Sequence, residues 1–375
     1  MAAGPGSFSL IVGDLKPSAF GNIAAALSKG LVELGVEVDI VHHIGERDST
    51  RRFDPRVSIT KLRTSRSLYS SPAIASYLSK NSPAVAISLG WLQNASSSLA
   101  TALSRWSGKL ILSEHGHMDY EARVEHGDKF LYRNLPRFAR RFYPRASGLV
   151  AVDVDVLDGL ETRVRLDRRR LPMEVIPNPL DANMIREMAD EDVGLLSHPL
   201  VVSVGRLAPQ KNHSLLIEAF ARVTQKVDAH LILVGDGPLR SSLEKEVAGR
   251  ALSDRVSFVG EVDNPYPFLK AADVFALSSK VEGFPLSLLE ALALGRPVVA
   301  TRASNGPIEI LERGRSGVLV DPDDAPALAD AITGLLADGE RQRELSKAAL
   351  ARSDDFTPTA IASRWMQFAE RLTGV

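Results

Sequence analysis

The segment SSKVEGFPLSLLEALALGRPVVAT, residues 278–301, carries two glutamates, Glu282 and Glu290, in a stretch otherwise fit for burial. Pro285 suits the first turn of a helix, where its missing N–H is no loss. That turn predicts a helix from about Leu286 to Leu294, stopped at Gly295, with Glu282 on the loop before it and Glu290 in its second turn. The amides of Gly283, Phe284, Leu286 and Ser287 then gather at a positively polarised helix start, which takes phosphate or sugar oxygens. The two carboxylates can flank such a site and accept from sugar hydroxyls. The spacing alone is common, however, and Glu282 reads equally well as a surface loop residue.

Outward from this segment, the half from about residue 199 alternates short aliphatic runs with amphipathic ones. PLVVSVGRL, AHLILVGDGP, RVSFVG, DVFALSS, PVVAT and SGVLVDP read as strands separated by helical stretches. The first half follows the same grammar with FSLIVGD, VEVDIVHH, PAVAISLG, KLILSEHG and SGLVAVD. Runs that are apolar throughout, rather than alternating, mark parallel strands buried on both faces. Two doubly wound α/β domains are expected, 1–180 and 181–355, meeting near EVIPNPLDANMIREM, where paired prolines break regular structure.

In such sheets ligands bind at the carboxyl ends of the strands. SVGRLAPQKN places Arg206 just past a strand and Lys211 at the start of the next helix, where both could reach a diphosphate. Two solvated surface cations would look the same. The turn LVGDGP, with Gly237 and Pro238, allows close backbone approach, although a plain tight turn explains it nearly as well. No G-x-x-x-x-G-K-[ST] run occurs, and no G-x-G-x-x-G follows the first strand, which disfavours P-loop ATPase and dinucleotide oxidoreductase readings.

The bulk numbers agree with a soluble two-domain chain: 375 residues, 45% hydrophobic, 24% charged, net charge −1. No apolar run approaches the roughly 18 residues of a membrane span. The start, MAAGPGSFSLIVGD, lacks a basic leader region, and the expected location is cytoplasmic. Zero cysteines exclude disulfides, thiolate metal sites and a cysteine nucleophile. Charge is uneven: residues 1–180 hold 24 Lys and Arg against 18 Asp and Glu, and the remainder 21 against 28. The excess collects in RNLPRFARRFYPR (133–145) and RVRLDRRR (163–170). Either these are solvated faces or they attract an anionic acceptor or the inner face of a membrane, as a peripheral contact. The chain as a whole is no nucleic-acid binder. Asp153 and Asp155 in VDVDVLD lack further metal ligands and read as capping residues.

GRLAPQKN, LVGDGPLR, VSFVGEV, ADVFALSSKVEGFPLSLLEALALGRPVVAT and GPIEILERGRSGVLV, in that order, resemble the retaining nucleotide-sugar glycosyltransferases of family 4. The resemblance implies the GT-B fold, two Rossmann-like doubly wound parallel-sheet domains facing an interdomain cleft. DDFTPTAIASRWMQFAERL resembles the family's C-terminal helix, which returns to the first domain, so 356–375 is expected to join it.

By that resemblance Arg206 and Lys211 hold the donor diphosphate, Glu290 accepts from the ribose hydroxyls, and Glu282 sits against the donor sugar beside the amides of Gly283 and Phe284. Leu286 and Ser287 meet the phosphates, Gly237 and Pro238 border the nucleotide, and Val259 lies near the base. His115, in LSEHGH, matches the family histidine near the anomeric carbon, where an imidazole could donate, accept or shuttle a proton. Gly21 stands in the loop after the first strand, where the family carries a Gly-Gly-x-Glu-like turn; this chain reads DLKPSAFGNIA and lacks both the glycine pair and the glutamate. The expected reaction moves a hexosyl residue from a nucleoside diphosphate sugar, a UDP-sugar favoured, to a glycan or lipid-linked acceptor, with retention and without a metal or other cofactor. A nucleotide-sugar epimerase or hydrolase, and a non-catalytic sugar-nucleotide-binding subunit, are the competing readings.

Overall fold

The computed structural model describes residues 6–16, 18–43, 52–64, 69–120, 130–194 and 199–374. Residues 1–5, which open the stretch read above for a leader, lie outside the described residues, as does Pro17 of the loop after the first strand. The chain divides into two compact units: unit 1, Met1–Pro179 with Phe356–Val375, and unit 2, Leu180–Asp355.

Unit 1 is built on a sheet of β1 (Phe8–Ile11), β2 (Val38–His42), β3 (Ser58–Lys61), β4 (Val85–Leu89), β5 (Lys109–Glu114), β6 (Gly148–Ala151) and β7 (Met173–Val175). All are parallel, in the order β3-β2-β1-β4-β5-β6-β7. The sequence reading names the five inner strands and misses β3 and β7. Both are edges: Ser58–Lys61 is half-exposed and polar at alternate positions, and Met173–Val175 is three half-buried residues. An edge strand has one neighbour and needs no continuous apolar run.

The C-terminal helix Pro358–Thr373 belongs to unit 1 and buries Ile361, Trp365 and Phe368. It crosses the helix Ala19–Glu33 so closely that a Cβ on Gly30 would stand 2.1 Å from the carbonyl oxygen of Pro358. Only glycine permits that crossing.

Unit 2 holds β8 (Leu200–Val204), β9 (His230–Val234), β10 (Val256–Gly260), β11 (Val274–Leu277), β12 (Val298–Thr301) and β13 (Val318–Val320). These too are parallel, ordered β10-β9-β8-β11-β12-β13. Helices cover the sheet by the expected periodicity: His213–Val223 buries Leu215, Leu216, Ala219, Phe220 and Val223, one stripe at a period of 3.6. The strand order reverses between β8 and β11, and the loops after those two strands are the ones that meet a ligand in such a sheet. Among the described residues no helix is long and apolar enough to cross a membrane.

Candidate functional site

The loop after β8 carries Arg206 and Lys211, and the loop after β11 carries Glu282. Lys211 does not open the next helix. It ends a 3-10 turn, Pro209–Lys211, and Asn212 in the left-handed conformation (φ 49°) separates it from the helix His213–Val223. That kink turns the lysine toward the neighbouring loop: Lys211 Nζ lies 2.6 Å from Glu282 Oε1. The ion pair therefore bridges the two strands at the point of reversal.

Glu282 is only 4% exposed and is held from several sides. The Ser279 hydroxyl donates to its Oε1 at 2.5 Å, and the Ser304 hydroxyl donates to its main-chain oxygen at 2.5 Å. Gln210 Nε2 donates to the Val281 carbonyl at 2.9 Å, and Ser278 Oγ donates to the carbonyls of Lys211 and Asn212 at 3.0 and 3.1 Å. Both loops are thus one hydrogen-bonded body. The surface-loop reading of Glu282 does not survive this.

The helix after Glu282 runs Leu286–Ala293. Pro285 stands one position earlier than expected, at the N-cap, with extended backbone, and no side chain caps the helix. Leu286 and Ser287 are half-buried at its start, while Gly283 and Phe284 are buried beneath it. Glu290, in the second turn, is buried, and the Tyr266 hydroxyl donates to its Oε1 at 3.4 Å. Arg206 is exposed two residues past β8. His213, just beyond Lys211, is buried with its Nδ1 meeting no hydrogen-bond partner; burial first, and then the Lys211 charge, push its pKa down to about 4.

The glycine turn after β9 has a packing reason of its own. A Cβ on Gly235 would lie 2.2 Å from the Gly205 carbonyl oxygen, and one on Gly237 would lie 2.5 Å from that of Leu207. Leu207 N donates to Asp236 O at 2.9 Å, and Leu239 N donates to Leu207 O at 3.0 Å. The turn thereby locks against the loop that carries Arg206. Pro238 is exposed beside it, and Val259 sits half-buried in β10.

In unit 1, His115 directly follows β5. Its Nδ1 lies 3.1 Å from Asn178 Oδ1, its Nε2 lies 2.9 Å from Ser113 Oγ, and the Phe20 ring stands perpendicular to it at 5.2 Å. Burial, offset in part by Asn178, pushes the imidazole pKa down to about 4. A group that low is neutral at physiological pH. Glu114, the preceding residue, is buried; Tyr143 Oη and Asn94 Nδ2 both donate to its Oε1, at 2.5 and 2.8 Å. Burial raises its pKa to about 7.

Gly21 lies in the first turn of the helix Ala19–Glu33, whose N-cap Ser18 accepts from the Gly21 amide. The Arg52 guanidinium donates to the carbonyls of Leu15 and Lys16 and, at 2.8 Å, to Asn22 Oδ1. A Cβ on Gly21 would run into Arg52 and the Lys16 carbonyl. An arginine clamp explains this glycine without a donor phosphate.

The sequence reading passes over Ser279, Ser304, Ser113, Asn178 and His213. The serines carry no signal in a single sequence. Asn178 stands in VIPNPLD, read above only as a linker. Asp153 caps the helix Val154–Thr162, with Oδ1 accepting from Val156 N at 2.7 Å.

Residues 188–352 match the family model described as Glycosyl transferases group 1, and residues 21–183 match Glycosyltransferase Family 4. The chain belongs to the family 4 glycosyltransferases. Among curated relatives, a Campylobacter jejuni 4-alpha-N-acetylgalactosaminyltransferase, named for its diphospho-undecaprenol-linked acceptor, is 30% identical over 220 residues, 59% of each chain. The lipopolysaccharide core biosynthesis glycosyltransferase LpsE of Rhizobium meliloti is 40% identical over 149 residues, 40% of this chain and 43% of the relative. These matches span about half the length of the two relatives. The crystal structure of Anabaena HepE in complex with UDP superposes with a TM-score of 0.74 at 21% identity, over 98% of this chain and 100% of that one. The family 4 glycosyltransferase described here accordingly has the GT-B fold, with the loops that carry Arg206, Lys211 and Glu282 at the switch point of unit 2.

Proposed function

We propose that this family 4 glycosyltransferase moves a hexosyl residue from a nucleoside diphosphate sugar, a UDP-sugar favoured, to a hydroxyl of a lipid-linked or polysaccharide acceptor. The observation that carries this reading is the Lys211–Glu282 pair at 2.6 Å, beside the uncapped start of Leu286–Ala293. An ammonium has three N–H donors. One serves Glu282, which aims the group, and the others are suited to phosphate oxygens. Arg206 adds a second cation in the same loop.

The glycosyl–phosphate bond weakens as positive charge develops on the sugar and negative charge on the leaving diphosphate. Preorganised donors at the leaving group supply the largest contribution to such a step. Lys211, Arg206 and the helix start are that set here, and with them the reaction needs no divalent ion. Glu290, held by Tyr266, is suited to ribose hydroxyls. The leaving phosphate oxygen takes the acceptor proton on the face it departs from, which gives retention. A sugar hydroxyl that takes the place of Ser113 at Nε2 would give the neutral His115 the role the resemblance assigns it.

The acceptor reading rests on the relatives' printed names and on one surface. Arg133, Arg137, Arg140, Arg141 and Arg145 are all exposed, in a segment without an acidic residue, and Phe130 beside them is 74% exposed. Leu135 and Ala139 anchor the helix Leu135–Phe142 inward. This face suits an anionic membrane on which a lipid-linked acceptor resides. In the second basic run, by contrast, Arg168 is paired with Glu161 at 2.5 Å.

The test is incubation with UDP-, GDP- and ADP-sugars and extracted lipid-linked glycans, with the new linkage read by proton NMR. Retained anomeric configuration in a product supports the reading. A changed sugar without acceptor would instead indicate an epimerase.

A further inference from the structure

Asn178 lies between Pro177 and Pro179, at the point where the chain leaves unit 1 for unit 2. It is 4% exposed, and the flanking rings fix the backbone on both sides. Its Oδ1 lies 3.1 Å from Nδ1 of His115, 63 residues earlier in the chain. A carboxamide oxygen only accepts, so Nδ1 carries the ring proton. Nε2 is then a bare acceptor and takes the Ser113 hydroxyl proton at 2.9 Å.

The two partners differ in what they enforce. A hydroxyl can donate or accept, so Ser113 is compatible with either neutral tautomer. Asn178 Oδ1 is compatible with one. Ser113, Asn178 and Phe20, three groups that meet the ring, are uncharged. Glu114, the adjacent titratable group, directs its carboxyl to Tyr143 and Asn94 instead.

We propose that Asn178 is the positioning residue of His115: it selects the Nδ1–H tautomer and ties the orientation of the histidine to the segment that joins the two units. The proposal deepens the functional reading above and rests on it for the place of His115 near the sugar. An aliphatic residue at 178 would remove the one partner that discriminates, leaving Ser113, which accepts from Nε2–H as readily as it donates to bare Nε2. Linker geometry and histidine state are therefore coupled through one hydrogen bond.

The experiment labels the histidines of the full chain with 15N and follows ring nitrogens by long-range proton correlation, with His115 assigned by its loss in His115→Gln. The wild type should show the Nδ1–H tautomer alone, titrating at about 4. Asn178→Ala should bring the Nε2–H tautomer to a comparable population. Asn178→Asp keeps the size and the acceptor, so it should keep Nδ1–H and raise the ring pKa by about 1–3 pH units through the added charge. It should also move the acid limb of UDP-glucose hydrolysis upward by the same amount. Should the alanine variant not fold, the near-isosteric aspartate variant carries the test. An unchanged tautomer in Asn178→Ala, or an unmoved pKa in Asn178→Asp, overturns the proposal. The ring spectra need no substrate, so a wild type that transfers from none of the UDP-, GDP- and ADP-sugars would count against the functional reading and not against this one.

Discussion

Lys211 and Glu282, 71 residues apart in the chain, meet at 2.6 Å across the two loops where the unit 2 sheet reverses its strand order. The carboxylate side chain is 5% exposed and the lysine side chain 19%, so the pair is largely withdrawn from water. Removing one partner of a buried pair costs about 3–5 kcal/mol, because the other is stranded. Lys211→Ala should therefore lower the stability of unit 2 by that order, and Lys211→Ala with Glu282→Gln should recover most of it. Urea unfolding of the single and double variants checks this; additive losses would show that the pair is not coupled.

Glu290→Ala should fold with unchanged circular dichroism. Its loss from the donor site should lower transfer by at least about a hundredfold, the scale for one preorganised group. Lys211→Ala should fall at least as far, measured below its own unfolding midpoint. Turnover like the wild type in either variant would remove the assigned roles.

Glu114 sets a pH dependence of opposite sign to the usual carboxylate. Burial raises its pKa from 4.5 to about 7, so between those values the folded chain binds the extra proton. Stability should accordingly fall as pH rises from about 4.5 to about 7, by on the order of 3 kcal/mol in all. Both hydrogen bonds to the carboxyl end on Oε1, so a glutamine amide oxygen can keep them. Glu114→Gln should match the wild type at pH 4.5 and exceed it at pH 8 in urea unfolding. His115 and His213, each lowered to about 4, act the other way: their contribution is complete above about 6.5 and is lost as pH falls toward 4.

The basic face of unit 1 makes a separate prediction. Each arginine near an anionic surface contributes about 1 kcal/mol. Replacing Arg137, Arg140 and Arg141 with glutamine should weaken binding to phosphatidylglycerol vesicles by on the order of a hundredfold. Binding to phosphatidylcholine vesicles should stay weak in both proteins. Equal flotation of wild type and triple variant with the anionic vesicles would refute the membrane reading.

What the sequence made legible follows burial. The inner strands of both sheets are buried almost throughout and mostly apolar, and such runs announce themselves. The edges β3 and β7 are not, and no local signal separates SITK from a loop. Glu282, Glu290, Arg206 and Lys211 stand out in the sequence as charges beside apolar runs, and the structure joins two of them, Lys211 and Glu282. Their partners Ser279 and Ser304 were missed because a serine advertises nothing until two loops bring it to an acceptor. Gly21 and Gly237 signal close approach without saying to what, and their near neighbours in the structure are Arg52 and the Leu207 carbonyl. His115 was legible as a residue, while its hydrogen-bond partner Asn178 stands 63 positions away.

The central claim is that the switch-point loops of unit 2 hold the diphosphate of a sugar nucleotide through Lys211. Thermal unfolding in the presence of UDP-, GDP- and ADP-sugars tests it most directly, because a ligand of the folded state alone stabilises by about 2.7 kcal/mol at a hundred times its Kd. For a unit of this size that corresponds to a rise in Tm of about 5–10 °C. One donor class should produce that rise in the wild type and not in Lys211→Ala, each referred to its own ligand-free Tm. A rise of equal size in both proteins, or in neither with any donor, would contradict the account.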